Sequence, residues 1–230
     1  MQIAGLVRTS LVDYPGCVSA VVFTYGCNFR CPFCHNPDLV CPQTQPQLLD
    51  IDGVVEFLKR RQGRLDGVVV TGGEPTLQPN LLPFLRVLKD LGYRVKLDTN
   101  GSHPDVVQGA IAGGLVDYLA VDLKAPFPNY AAAAGVPVAI ERIAESIRAV
   151  RESGVSHEFR TTAVRPLHTP EDLVATGKMA MGAEGFVLQR FVNGRLLDPA
   201  FSEAAVPFEE TDLDAVCATL QALGVNCIVR

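Results

Sequence analysis

A chain of 230 residues, 48% hydrophobic and 20% charged, can bury a sizeable core and is too apolar to be disordered. Its net charge of −5, from 20 Lys and Arg against 25 Asp and Glu, comes without a basic patch and argues against nucleic acid as the main partner. Seven cysteines, an odd number with three crowded between Cys27 and Cys34, point to a reducing compartment and ligand thiols instead of a disulfide framework.

In chain order, the opening MQIAGLVRTSLVDYPG has no basic segment followed by an apolar core, so no export signal is expected. No stretch reaches the roughly 18 apolar residues of a membrane span, and a cytoplasmic address is the expectation. SAVVFTYG (19–26) reads as a buried strand. After the cysteine run, Ile51, Val54, Val55 and Leu58 form a helical stripe closed by Gly63. Strand 67–73 follows, then a helix opened by Asn80, striped by Leu81, Phe84, Leu85 and Leu88, and ended by Gly92. Strands 93–101 and 116–126 come next, then a stripe of Ile140, Ile143, Ala144 and Ile147 stopped by Gly154. Strand 157–164 leads to the helix start Thr169-Pro170-Glu171, and strand 185–191 to a last helix opened by Thr211. Leu213, Val216, Cys217 and Leu220 stripe that helix before the closing VNCIVR.

Strands this continuously apolar suit a parallel sheet covered on both faces. Six strand-then-helix units predict an α/β fold with right-handed crossovers, as an open sheet or a barrel. With no linker or low-complexity segment, one domain over 1–230 is expected. Its core covers about 17–192, with segment 1–16 and a helix and strand over 211–230 packed on it.

Polar clusters fall at the C-terminal ends of four predicted strands, the edge where parallel α/β folds bind ligands. They are the cysteine run, Thr71-Gly72-Gly73-Glu74-Pro75, Asp98-Thr99-Asn100-Gly101 and Asp122-Leu123-Lys124, with Arg160 inside the fifth strand. The run YGCNFRCPFCHNP permits three chemistries: C-x-x-C-H haem attachment, a C-x-x-C redox or zinc half-site, and an iron–sulfur cluster on three thiols. Haem attachment belongs outside the cytoplasm. A Cys3His zinc site would require adjacent Cys34 and His35 to reach one metal, and structural zinc draws its ligands from two separated knuckles. A cubane usually takes four thiolates, and Cys17, Cys41, Cys217 and Cys227 are not placed to complete the set. Three thiols leave one iron open to a chelating small molecule, and the cluster is the preferred reading.

Phe33 either packs within the loop or stands beside the cluster, where it can flank an adenine. Gly72 and Gly73 let backbone carbonyls approach a ligand, and Glu74 offers acceptors to an ammonium group, although a plain strand-to-helix turn explains the same residues. Buried carboxylates at Asp98 and Asp122 need donors or a cation, and which of these they have is open. Lys124 and Arg160 suit a ligand carboxylate, with a structural ion pair the simpler account of each alone.

C-x-x-x-C-x-φ-C at Cys27, Cys31, Phe33 and Cys34, with GGEP about 40 residues later, resembles the radical S-adenosylmethionine (SAM) superfamily. GCNFRCPFCHNP, VVVTGGEPTLQ, KLDTNG, VDLKAP and EFRTTAV are similar to segments of the activating enzymes of glycyl radical proteins, above all those of anaerobic ribonucleoside-triphosphate reductase. The resemblance implies a partial (β/α)6 TIM-like barrel and a [4Fe–4S] cluster on Cys27, Cys31 and Cys34, whose fourth iron chelates SAM. It implies that Gly72, Gly73 and Glu74 receive the SAM ammonium and that Phe33 lies against the adenine. Asp122, Lys124 and Arg160 would help hold the ribose and carboxylate, and Asp98 and Thr99 stand with them as candidate cofactor-binding residues. Reductive cleavage of SAM would then yield a radical that takes a glycine Cα hydrogen from a partner, the anaerobic ribonucleotide reductase large subunit.

Without a second cysteine cluster, a flavodoxin or ferredoxin would deliver the electron. Without a C-terminal extension, the open mouth suits a protein loop. Asp13-Tyr14-Pro15-Gly16 matches the activases' Asp-Gly-Pro-Gly element except at Tyr14, which makes Asp13, Pro15 and Gly16 candidate partner contacts. Two alternatives stand beside this reading. One is a radical SAM enzyme acting on a small molecule, such as a 7-carboxy-7-deazaguanine synthase, and the other is a non-catalytic iron–sulfur or zinc protein.

Overall fold

In the computed structural model, which describes residues 1–40 and 47–230, all six expected strands lie side by side in sequence order. Cys41 falls outside the described residues. The chain opens with β1 (Ile3–Ser10), β2 (Ser19–Thr24) and the short α1 (Pro37–Val40), followed by α2 (Ile51–Arg61), β3 (Gly67–Gly72) and α3 (Leu81–Asp90). Next come β4 (Arg94–Thr99), α4 (Pro104–Ala112), β5 (Tyr118–Asp122), α5 (Tyr130–Ala134), α6 (Ile140–Arg151) and β6 (Ser156–Arg165). The last part holds α7 (Pro170–Met179), β7 (Phe186–Arg190), α8 (Pro199–Ala204), β8 (Val206–Pro207), α9 (Glu210–Ala222) and β9 (Cys227–Val229).

Strands β2 to β7 are parallel neighbours, and β9 extends the sheet in parallel beyond β7. The antiparallel β1 forms the other edge, beside β2. The path ends at β1 and β9, so among the described residues the barrel stays open as a partial TIM-like barrel. No helix among them is long and apolar enough to cross a membrane.

Strand alternation sorts the core into two layers. Ala20, Val22, Val68, Val70, Val95 and Leu97 join the large core, which also takes in Leu58, Leu85 and Ile143 of the outer helices. The intervening Val21 and Val69 point the other way and form a smaller cluster with Tyr14 and Cys17. Local signals set the helix starts. Asp50 accepts from the Gly53 amide at 3.1 Å at α2, and Thr169 and Asp172 form a reciprocal capping box at α7.

Besides short pieces such as α5 and α8, two longer elements depart from expectation. β1 occupies the segment expected only to pack on the core, and α4 fills the unassigned stretch between β4 and β5.

Candidate active site

The loop between β2 and α1 carries Cys27, Cys31 and Cys34, and all three line one cavity of about 460 Å³ at the C-terminal ends of the strands. The same cavity is lined by Phe33, Gly72, Gly73, Glu74, Asp98, Thr99, Asp122 and Lys124, so residues nearly 100 positions apart in sequence meet there. Arg160 lies behind this wall, where Nε donates to Asp122 Oδ1 at 2.8 Å and Nη1 to Asp98 Oδ2 at 3.2 Å. Asp13, Pro15 and Gly16 are not brought to the cavity. They sit in the turn joining β1 to β2, at the opposite end of β2 from the cysteine loop.

The cysteine loop is held by its backbone. The Gly26 amide donates to Leu39 O at 2.8 Å and the Arg30 amide to Ala134 O at 2.7 Å, while Cys34 O accepts from Leu197 N at 3.0 Å. Burial raises the Cys27 thiol to about 12 and also raises Cys31. Both thiols are therefore protonated near neutral pH.

Among the described residues, no three Cys, His, Asp or Glu side chains gather closely enough to hold a single metal ion. His35, whose role the sequence left open, lines the same cavity and is held by its own contacts. Its Nε2–H donates to Val192 O at 2.8 Å and its ring leans on Phe191.

The paired glycines have a reason that the sequence did not reveal. A Cβ on Gly72, whose φ is +123°, would stand 2.3 Å from the Thr24 nitrogen, and one on Gly73 would stand 2.0 Å from the Gly26 oxygen. The end of β2 fills that space, and the Gly73 and Glu74 amides donate to Thr24 O and Gly26 O. These glycines let the cysteine loop dock on the end of β3. Glu74, buried, is largely engaged. Its Oε1 accepts from Thr76 N, Thr76 Oγ1 and Thr99 Oγ1, and its Oε2 accepts from Asn100 N at 2.7 Å. Only Oε2 keeps an unused lone pair. Thr99 therefore supports Glu74.

A polar chain that sequence reasoning missed extends this clamp. Asn100 Nδ2 donates to Asn28 Oδ1, Asn28 Nδ2 to Ser102 Oγ, and Ser102 Oγ to Asn100 Oδ1. His103 Nδ1 lies 3.2 Å from Thr76 Oγ1 and 3.0 Å from Ser102 Oγ. Both hydroxyl hydrogens already go to Glu74 and Asn100, so Nδ1 must carry the proton and donate. The run DTNGSH held the only sequence signal, a polar cluster continuing past the strand end.

Charge under the cavity is balanced in a chain. Lys96 Nζ is 2.7 Å from Asp98, Arg160 bridges Asp98 and Asp122, and Lys124 Nζ is 3.2 Å from Asp122. Burial by itself would raise the Asp122 carboxyl, but Arg160 and Lys124 outweigh it and hold the group at about 2. Burial likewise works against the Lys124 ammonium, and Asp122 overcomes it and raises its pKa.

Residues 21–180 match the family model described as the radical SAM superfamily. A Methanocaldococcus jannaschii protein, whose name proposes it as a glycyl-radical enzyme activating enzyme, is 33% identical over 99% of this chain and 95% of its own length. The chain belongs to the radical SAM superfamily. Enzymes of that family use a [4Fe–4S] cluster and SAM. The pyruvate formate-lyase-activating enzyme of Clostridium pasteurianum is 35% identical over a shorter stretch, 44% of this chain and 43% of that one. The fold is also similar to that in the crystal structure of Streptococcus suis SuiB bound to precursor peptide SuiA. That structure has a TM-score of 0.71 and 12% identity over 91% of this chain and 48% of SuiB, a likeness of fold alone.

Proposed function

We propose that this radical SAM enzyme is an activase that removes a Cα hydrogen from a glycine of a partner glycyl radical enzyme. The observation that carries the reading is the shared cavity, where three thiols of one loop face the GGEP turn and the Asp122–Lys124 segment. Similarity along nearly the whole chain to a protein named for glycyl-radical enzyme activation supports the partner class. We further propose the anaerobic ribonucleotide reductase large subunit as that partner, and a flavodoxin or ferredoxin as electron donor.

In this reading Cys27, Cys31 and Cys34 would hold the cluster beside SAM. Bound together, cluster and SAM would supply the hydrogen-abstracting radical, one electron cleaving the C5′–S bond with release of methionine. The protein's work is placement. Lys124 receives the SAM carboxylate, its positive charge secured by Asp122. The spare lone pair of Glu74 Oε2 and the backbone carbonyls of Gly72 and Gly73 accept from the SAM ammonium. Phe33, 5% exposed, offers its ring to the adenine. Arg160 acts from behind, with Asp98 as its second carboxylate partner, keeping Asp122 ionised and in place.

The test is anaerobic reconstitution, then incubation with SAM, dithionite and the reductase subunit, read by electron paramagnetic resonance. A glycyl radical doublet is expected. SAM cleavage without a doublet, while a small molecule is consumed instead, would overturn the activase reading and leave radical SAM chemistry standing.

A further inference from the structure

Beyond the end of β5, the chain leaves the sheet while still buried, with Leu123 fully enclosed and Ala125 1% exposed. Carbonyls in such a place need partners, and three side chains from three other parts of the fold supply them. Tyr130 Oη reaches Asp122 O at 3.4 Å, Thr161 Oγ1 donates to Leu123 O at 2.9 Å, and His168 Nε2 lies 2.8 Å from Lys124 O. Each of the three donors is at most 2% exposed.

Two of these donors also touch the cysteine loop, on either side of Cys31. The Tyr130 ring meets Phe29 edge-on at 6.5 Å, and the His168 ring meets Phe33 edge-on at 6.3 Å. Hydrogen-bond logic fixes the imidazole. Lys124 O can only accept, so Nε2 carries the proton, and the Val164 amide donates to the bare Nδ1 at 3.3 Å. Burial lowers the His168 pKa, which favours the same neutral form. No ring nitrogen is left for a ligand.

We propose that His168 is a positioning residue: its Nε2–H fixes the Lys124 backbone and its ring edge fixes Phe33. One side chain thereby sets the spacing between the cysteine loop and the cation beyond β5. The tether acts on the peptide plane that follows the Lys124 Cα, and so on the direction in which the ammonium enters the cavity. This inference rests on the reading of Lys124 as a SAM contact.

The experiment compares SAM dissociation constants, by titration calorimetry on the reconstituted oxidised protein, for wild type, Lys124→Met, His168→Gln and His168→Phe. Iron content and thermal midpoint are recorded for each. Gln places an amide donor where imidazole Nε2 stands, whereas Phe keeps the ring and removes the donor. Loss of a charge-assisted contact in Lys124→Met should weaken SAM binding by about 10- to 100-fold. His168→Phe should weaken it by about 10-fold, and His168→Gln should stay within about 3-fold of wild type, by the same arithmetic.

Wild-type affinity in Lys124→Met would overturn the underlying reading of Lys124. Weak binding in Lys124→Met together with wild-type affinity in His168→Phe would overturn only the role of His168. Equal weakening by Gln and Phe would also overturn it, since a donor restored at the Nε2 position would then rescue nothing. A lowered midpoint in His168→Phe with unchanged affinity would assign the residue to stability.

Discussion

On β2 and β3, the side chains facing the barrel interior are Ser19, Val21, Phe23, Val69 and Thr71, whereas β4 to β6 turn Lys96, Asp98, Asp122, Glu158 and Arg160 inward. The first wall packs with Tyr14 and Cys17 as a small apolar core. The second, with Lys124 at its upper end, holds three cations and three carboxylates linked in one network. An apolar wall gains stability from close packing. A buried ionic wall gains little net stability, since desolvation offsets attraction, yet it loses much when one partner is removed. The difference assigns separate work to the two walls: one holds the sheet together, and the other fixes charge beneath the cavity.

The largest expected effect comes from Arg160→Met. It leaves Asp98 and Asp122 without their shared cation and should destabilise the chain by about 3–5 kcal/mol in urea unfolding. A loss below about 1 kcal/mol would mean that solvent compensates and that the wall is not a buried network. Val69→Ala on the opposite wall should cost about 2 kcal/mol, from two lost methyl groups and a partly unfilled space. It should leave SAM affinity unchanged, and a changed affinity would break the division of work between the walls.

Asp122 supplies the pH dependence. Its carboxyl is held at about 2, below the ordinary 3.8, so its stabilising contribution is complete above about pH 4 and is lost as pH falls toward 2. That contribution is about 2 kcal/mol. Asp122→Asn should flatten the corresponding part of the acid unfolding curve, and an unaltered curve would contradict the pairing with Arg160 and Lys124. The smallest effect has the opposite sign. Among the described residues Ser19 Oγ is buried without a hydrogen-bond partner, so Ser19→Ala should stabilise the chain by about 1 kcal/mol.

The six parallel strands were legible because runs such as GVVVTG state burial on both faces directly. β1 was not, because IAGLVRTS is an edge strand with an exposed stretch, and its mixed pattern reflects neighbours that only the fold supplies. α4 escaped because its buried positions after Pro104 are only Val107 and Ala110, too few for a helical stripe. Seven residues of the cavity wall were legible from their positions at strand ends, and the three thiols from their spacing, while Arg160 stood one layer further back. The reason for Gly72 and Gly73 was not readable, since it is the approach of β2, a segment almost 50 positions earlier. His168 and Tyr130 carried no signal, because a side chain's grip on a distant carbonyl leaves no local pattern in sequence.

The account depends most on three thiols of one loop holding the group that activates SAM. The direct test is 5′-deoxyadenosine formed per chain after reconstitution and incubation with SAM and dithionite. The account predicts formation by wild type and by Cys17→Ala, and none by Cys27→Ala, Cys31→Ala or Cys34→Ala. Wild-type yield from any one of those three loop variants would contradict it.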